Sequence, residues 1–233
     1  MPENLPIVLV PGLNCSPRLY EPQMPALWRF GPVTVANHTR DDTMAAIARR
    51  ILDDAPPRFA LAGLSMGGYI VLEMIRQAAD RVARLALLDT GARADLAEAS
   101  EKRRINIAAA EAGRFDEIID AQFPIYVHPS RASDAALKAV YLAMCRDVGP
   151  QAYVRQQKAI MGRADSRPLL PAIRCPTLVV VGEQDVATPP ELSDEMAAAI
   201  PGAKLVKLPA CGHLSTLERP EAVTDALVAW MNA

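Results

Sequence analysis

Residues 58–69 read Arg58-Phe59-Ala60-Leu61-Ala62-Gly63-Leu64-Ser65-Met66-Gly67-Gly68-Tyr69 and contain the pattern Gly-x-Ser-x-Gly. The apolar run before this pattern predicts a buried β-strand, and the amphipathic run after it, residues 69–75, predicts an α-helix. A serine between a strand and a helix stands on a sharp turn, with its hydroxyl above the end of a sheet and near the positive end of the helix. Gly63 and Gly67 allow the helix to pass close to the strand. The stretch therefore predicts a nucleophilic hydroxyl at Ser65.

Charge and composition limit the class of protein. The 233 residues include 25 basic and 27 acidic side chains and no block of like charges, which argues against a nucleic-acid or anionic membrane surface. Apolar residues make up 51% and aromatic residues 5%, which suits helices packed on a sheet. The sequence shows no signal-peptide pattern and no apolar run as long as a membrane span. We expect a cytoplasmic monomer or small homo-oligomer that binds a small molecule, and neither nucleic acid nor membrane.

The four cysteines are widely spaced and form no C-x-x-C pair; they are Cys15, Cys145, Cys175 and Cys211. This spacing favours free buried thiols over disulfides or a metal cage. The chemistry that the other residues indicate requires no cofactor and no metal.

Short apolar runs alternate with helical patterns along the chain, which predicts a parallel sheet covered on both faces. Six strands are expected at residues 7–10, 33–36, 59–62, 85–88, 177–181 and 204–208. Helices are expected around residues 18–28, 43–53, 190–200 and 220–231. Prolines at the starts of the last two helices stand where a missing N–H costs nothing.

The alternation is interrupted by a helical insertion at residues 92–170, which divides a core made of residues 1–91 and 171–233. The insertion contains no good strand and about four helical patterns. In one of these, Ser133 is the expected N-cap and Gly149-Pro150 the expected stop. The insertion leaves one strand's carboxyl end and returns to the next strand, so it must cover the sheet edge where ligands bind. It is therefore a candidate lid.

A serine hydroxyl needs a neighbouring base, and the base needs an orienting acid. His213 follows the last predicted strand, and Asp185 follows the fifth, so both belong at the same sheet edge as Ser65. The chain order Ser, Asp, His is the one expected for a triad built on this kind of fold. Asp89, which also ends a strand, is the rival acid, and Glu183 is a weaker rival.

An oxyanion formed at Ser65 needs two N–H donors. The backbone of Met66 supplies one, and the loop after the first strand, most directly Leu13, supplies the other. Cys15 lies in the same loop but has no histidine of its own, which argues against a thiol nucleophile.

The expected pocket lies between the sheet edge and the insertion. His38 follows the second strand and is a candidate for the pocket mouth, with a structural role as the alternative. Tyr141 and Met144 are candidates for the pocket wall, with the core as the alternative for Met144. His128, next to Pro129 in the insertion, is interpreted as a surface or capping residue. A mostly apolar pocket with few fixed charges suits neutral acyl groups of short or medium length. The charged stretch at residues 101–104 argues against a lid that binds lipid interfaces.

These residues together resemble the α/β-hydrolase superfamily, over residues 6–230. The stretch 63–68 is similar to the nucleophile turn of small bacterial esterases, enol-lactonases and carbon–carbon bond hydrolases, and residues 182–185 and 212–213 match the acid and base loops. The resemblance implies an α/β-hydrolase fold with six strands, because the usual N-terminal hairpin is missing, and with a helical cap. Two loops depart from the family pattern. Pro11-Gly12 replaces the usual His-Gly, and the loop at residues 37–41 is shortened.

A serine at position 65 argues against haloalkane dehalogenases and epoxide hydrolases, which resemble this fold but need an aspartate there. The leading expectation is a serine carboxylesterase that works through an acyl-enzyme. A thioesterase, a lactonase or a carbon–carbon bond hydrolase would use the same triad. A ligand receptor on the same scaffold, without turnover, is the alternative from another class; sustained turnover of p-nitrophenyl esters separates it from an enzyme.

Overall fold

A computed structural model describes residues 4–233, and one parallel sheet runs through its centre. Its six strands lie in the order β2-β1-β3-β4-β5-β6, and every neighbouring pair is parallel. The strands are β1 (Ile7–Val10), β2 (Val33–Val35), β3 (Phe59–Leu64), β4 (Val82–Leu88), β5 (Thr177–Gly182) and β6 (Lys204–Leu208). The predicted parallel sheet of six strands is confirmed.

Helices cover both faces of the sheet because successive strand residues point to opposite sides. Val8 and Val10 of β1 belong to one apolar cluster, and Ile7 and Leu9 belong to the other. The first cluster is completed by helices α2 (Met44–Asp54), α3 (Met66–Ala78) and α8 (Pro190–Ala199), and the second by α1 (Met24–Leu27) and α10 (Pro220–Asn232). Each face therefore has its own hydrophobic core.

Local signals account for most helix starts. The Thr43 hydroxyl accepts a hydrogen bond from the Ala46 N–H and caps α2.

The helix predicted around residues 18–28 is wrong. A 3₁₀ turn at Pro17–Tyr20 and the single-turn α1 stand there instead. Pro22 and Pro25 lack the N–H groups that a continuous helix would need.

The insertion between β4 and β5 holds α4 (Ala97–Glu111), α5 (Phe115–Tyr126), α6 (Ala135–Val148) and α7 (Pro150–Met161). Helix α4 packs against α5 and α7, and α5 packs against α6. The Ser166 N–H donates to the Ala92 carbonyl at 2.7 Å, so the chain enters and leaves the insertion at neighbouring points. We call residues 92–170 the cap.

Helix α6 begins one residue later than its predicted cap implies. Asp134, not Ser133, is the N-cap, and its carboxylate accepts the Leu137 N–H at 2.9 Å. The N-cap is the residue directly before the first helical residue, and the helix begins at Ala135. Gly149 ends the helix as expected, with a φ of 79°.

The cap and the sheet share one hydrophobic core. Phe123 and Tyr141 of the cap belong to the same buried cluster as Leu64 of β3 and Leu214. The remaining short elements are 3₁₀ turns at Ala79–Arg81, Pro129–Arg131 and Arg167–Ala172, and helix α9 (Ser215–Glu218). Within residues 4–233, no helix has both the length and the apolar character that crossing a bilayer requires.

Candidate active site

Ser65 occupies the sharp turn between β3 and α3. Its backbone has a φ of 55° and a ψ of −117°, a strained conformation for a residue with a side chain. Neighbouring groups hold the turn. The Ser65 N–H donates to the Leu88 carbonyl at 2.9 Å, and the Thr90 hydroxyl donates to the Ser65 carbonyl at 2.8 Å. These contacts place the hydroxyl at the carboxyl edge of the sheet.

The glycines on either side of Ser65 allow the close approach that the sequence predicts. A Cβ on Gly63 would collide with the backbone of Gly67, and a Cβ on Gly67 would collide with the carbonyl of Val10. Helix α3 can therefore begin directly against β1 and β3 only because these positions carry no side chain.

The structure brings Ser65, His213 and Asp185 together in one hydrogen-bonded chain. His213 Nε2 lies 2.8 Å from Ser65 Oγ, and His213 Nδ1 lies 2.7 Å from Asp185 Oδ2. In the tautomer with a proton on Nδ1, the imidazole donates to Asp185 and accepts the Ser65 hydroxyl proton. This is the arrangement that turns a serine into a nucleophile.

Three donors near Asp185 fix its carboxylate. The N–H groups of Ala187 and Thr188 donate to Oδ1 at 2.8 and 2.9 Å, and the Thr188 hydroxyl donates to Oδ2 at 2.7 Å. The same hydroxyl lies 3.3 Å from His213 Nδ1. Sequence reasoning missed Thr188. The spacing Asp-x-x-Thr, in which an aspartate accepts N–H groups two and three residues later, is the signal that could have revealed it.

At His213 and at Asp185, burial and charge interactions shift the pKa in opposite directions. Burial alone lowers the pKa of His213, but the Asp185 charge and hydrogen bond outweigh it, so the pKa is raised above 6.5. Burial raises the pKa of Asp185, and the attraction of His213 together with the Thr188 donors outweighs it, so the pKa is lowered. These shifts favour an ionised Asp185 beside a His213 imidazole that accepts protons more readily.

Asp89, the rival acid, points elsewhere. It accepts the Gly182 N–H at 3.0 Å and forms a short hydrogen bond with the Ser215 hydroxyl. Complete burial, followed by the nearby charge of Asp185, raises the pKa of this carboxyl. Its hydrogen bonds join β5 to the helix after His213. Asp185 is the residue that contacts His213.

The loop that carries His213 is held by the cap and by Glu218. The Tyr126 carbonyl accepts the N–H groups of His213 and Leu214 at 2.9 and 3.2 Å, and the Tyr126 ring lies 5.4 Å from the imidazole between ring centroids. Glu218 accepts the N–H groups of Gly212 at 3.0 Å and of His128, in the cap, at 2.7 Å. The base is therefore positioned by both the core and the cap.

The predicted oxyanion donors flank Ser65. Met66 is the first residue of α3, where backbone N–H groups have no partner within the helix. Within residues 4–233, the Leu13 N–H donates to no protein acceptor, and Leu13 lines the same pocket as Ser65. Burial raises the pKa of the Cys15 thiol in this loop, and the thiol donates to the Leu13 carbonyl at 3.4 Å, which disfavours a thiolate nucleophile.

His38 does not lie at the pocket mouth and has the alternative, structural role. It is 3% exposed, and its Nε2 donates to the Gly12 carbonyl at 2.9 Å. Burial lowers the pKa of His38 to about 4, so the ring is neutral. The side chain supports the oxyanion loop through its hydrogen bond to Gly12.

The pocket over Ser65 has a volume of about 70 Å³. Its walls include Tyr69, Tyr126, Tyr141 and Ile160. Met144 does not line it. Its side chain is fully buried in the core shared by cap and sheet.

The wall also contains a charge that the sequence analysis did not place there. Arg103 of α4 lines the pocket with Ser65 and His213. One residue of the charged stretch 101–104 therefore faces inward. The cap's helical pattern carried no signal for this direction. Among residues 4–233, no group of three His, Cys, Asp or Glu side chains is arranged to hold a metal ion.

Known proteins share this architecture. The chain is 29% identical to BpoC of Mycobacterium tuberculosis, which carries the provisional name non-heme bromoperoxidase, over 96% of this chain and 92% of that protein. It is similar to the structure of a thermophilic esterase from Thermogutta terrifontis, with a TM-score of 0.89, 31% identity and coverage of 99% and 90% of the two chains. It is also similar to the enol-lactonase from Burkholderia xenovorans LB400, with a TM-score of 0.88, 27% identity and coverage of 99% and 92%.

The model of the alpha/beta hydrolase family matches residues 7–226, which include all six strands and the whole cap. The strand order, the turn at Ser65 and the loops of Asp185 and His213 all fall within that match. The chain therefore belongs to the alpha/beta hydrolase family and is an enzyme of the hydrolase class.

Proposed function

We propose that this protein is a serine esterase that cleaves carboxylic esters of short or medium acyl length through an acyl-enzyme. The observation that carries the proposal is the unbroken hydrogen-bonded chain from Ser65 through His213 to Asp185, which opens into a pocket of about 70 Å³. A pocket of this volume supports small acyl groups.

The steps follow from the geometry. Ser65 Oγ attacks the ester carbonyl carbon while its proton passes to His213 Nε2, and the negative oxygen accepts the N–H groups of Leu13 and Met66. The tetrahedral intermediate collapses, the bond to the alkoxy oxygen breaks, and His213 returns its proton to the leaving alcohol. Water then attacks the acyl-enzyme with His213 again as base, which releases the acid and restores the Ser65 hydroxyl.

Lactones are a second candidate substrate class. Opening a lactone uses the same attack and the same oxyanion donors, with the alcohol remaining attached to the acyl group. The similarity to an enol-lactonase over 99% of this chain favours this class above thioesters.

Labelling of Ser65 tests the proposal. A fluorophosphonate should form an adduct on the peptide that carries Ser65, as mapped by mass spectrometry, and p-nitrophenyl acetate should be turned over repeatedly. Ser65→Ala should lower kcat by on the order of 10⁴ to 10⁶. Cys15→Ser is the matched control and should keep the label and the turnover. Labelling at Cys15, or binding without turnover in the wild type, would overturn the proposal.

A further inference from the structure

Arg103 is an inward-facing charge beside the candidate nucleophile. It lines the same small pocket as Ser65 and His213, and 21% of its side chain is exposed. Arg104, the next residue on α4, is 61% exposed and pairs with Glu101 on the outer surface. Adjacent residues of one helix thus place one guanidinium in the pocket wall and the other in solvent.

The charge of Arg103 is only partly balanced. Asp95, whose side chain is 1% exposed, accepts Arg103 Nε at 3.2 Å and Arg163 Nη1 at 2.6 Å. One buried carboxylate therefore serves two arginines, and within residues 4–233 neither arginine has a second carboxylate partner. Arg163 makes the shorter contact and also lies over the Tyr69 ring, 4.3 Å from its centroid. The cluster keeps one excess positive charge at the pocket.

Not every N–H group of Arg103 has an acceptor among residues 4–233. Its Nε donates to Asp95, and its Nη1 donates to Gln157 Oε1 at 2.8 Å. Gln157 is in turn fixed by donating to the Tyr153 hydroxyl at 2.7 Å. Within the described part of the chain, Nη2 has no acceptor. The guanidinium is held from two sides with one edge unpaired.

We propose that Arg103 binds an ionised carboxylate of the substrate, so that the preferred substrate is an ester or lactone that carries a second, free carboxylate. This inference rests on the proposed esterase function. A partly buried guanidinium with a free edge is best satisfied by a carboxylate, which accepts two parallel N–H groups. The other groups in that part of the wall, Tyr69, Tyr126 and Ile160, carry no charge that would compete.

Pairs of substrates of equal size, one with a carboxylate and one with an amide, test whether Arg103 recognises the negative charge. Monomethyl succinate, glutarate and adipate carry the carboxylate on the acyl side, and 4-acetoxybutyrate carries it on the alcohol side. Each is compared with its uncharged primary amide, and the acid released by hydrolysis is followed by titration at constant pH. A charge-assisted hydrogen bond predicts a kcat/KM about 10- to 100-fold higher for at least one carboxylate than for its amide.

Two variants separate recognition from structure. Arg103→Met keeps an unbranched side chain but removes the guanidinium and its charge, and it should abolish the preference for the carboxylate through KM. Arg104→Met, the exposed neighbour, should leave the preference intact. If circular dichroism shows that Arg103→Met does not fold, Arg103→Gln, which also removes the charge, replaces it.

Calorimetry gives a second readout that needs no turnover. Glutarate should bind the wild type about 10-fold or more tightly than it binds Arg103→Met, and glutaramide should not discriminate between them. Equal kcat/KM for every carboxylate and its amide, or a preference that survives in Arg103→Met, would overturn the inference while the esterase function stands. Failure of the esterase function itself shows as no turnover of any ester and no label on Ser65.

Discussion

The Tyr126 carbonyl, at the end of the second cap helix, accepts the His213 N–H at 2.9 Å. The cap is thereby fastened to the loop that carries the base. Glu218 adds to this attachment, because it accepts N–H groups from Gly212 on one side and from His128 of the cap on the other. Opening the cap at this point would break these bonds and move His213. Residues 126–128 therefore hold the loop of the base against the cap.

The choice of acid can be tested by matched substitutions. Asp185→Asn should lower kcat by about 10⁴, because an amide no longer holds the imidazole in the tautomer that accepts the Ser65 proton. Asp89→Asn should cost far less, because Asp89 contacts Gly182 and Ser215 and not His213. Both variants are compared with one ester in one assay. The reverse order of the two losses would move the acid to Asp89.

The pH dependence of hydrolysis should report the raised pKa of His213. Only the neutral imidazole accepts a proton, so kcat/KM for an uncharged ester should fall as the pH drops through this pKa, with a midpoint above 6.5. The residual activity of Asp185→Asn should have a lower midpoint, because the charge that raises the pKa is gone. A wild-type midpoint below 6.5 would contradict this assignment.

Thr188 is expected to act as a positioning residue. Thr188→Val removes the hydroxyl that donates to Asp185 Oδ2 at 2.7 Å but leaves the two backbone N–H donors in place. A lost hydrogen bond to a charged acceptor predicts a fall in kcat of about 10-fold with little change in KM. Thr188→Ser should restore kcat, since it restores the donor. An unchanged kcat in Thr188→Val would show that the backbone donors suffice.

Chain length should limit the substrate. The pocket of about 70 Å³ is bounded by Tyr126, Tyr141 and Ile160, so kcat/KM for p-nitrophenyl esters should peak at short acyl chains and decline toward palmitoyl. Activity should not rise when the substrate forms an interface, because Arg104 and Glu101 keep the outer face of α4 charged. A steady increase up to the longest chain would contradict the prediction.

Much of the fold was predictable from local pattern. Six apolar runs alternating with helices predicted the parallel sheet, and the turn signals around Ser65 predicted its strand, turn and helix. The candidate triad was predictable for a related reason. The carboxyl ends of parallel strands meet at one edge, so residues that follow β3, β5 and β6 must lie close together there. No contact had to be known to place Ser65, Asp185 and His213 at that edge.

The sequence by itself therefore determined the sheet, the position of the cap and the three strand-end residues, because each follows from hydrophobic periodicity and parallel topology. Only the tertiary structure decided which way the other side chains point. It turned His38 behind the oxyanion loop, left Met144 in the core and directed Arg103 into the pocket. These directions depend on how the loop after β2 turns and on how the helices of the cap rotate and pack against the sheet, and no spacing along the chain specifies either.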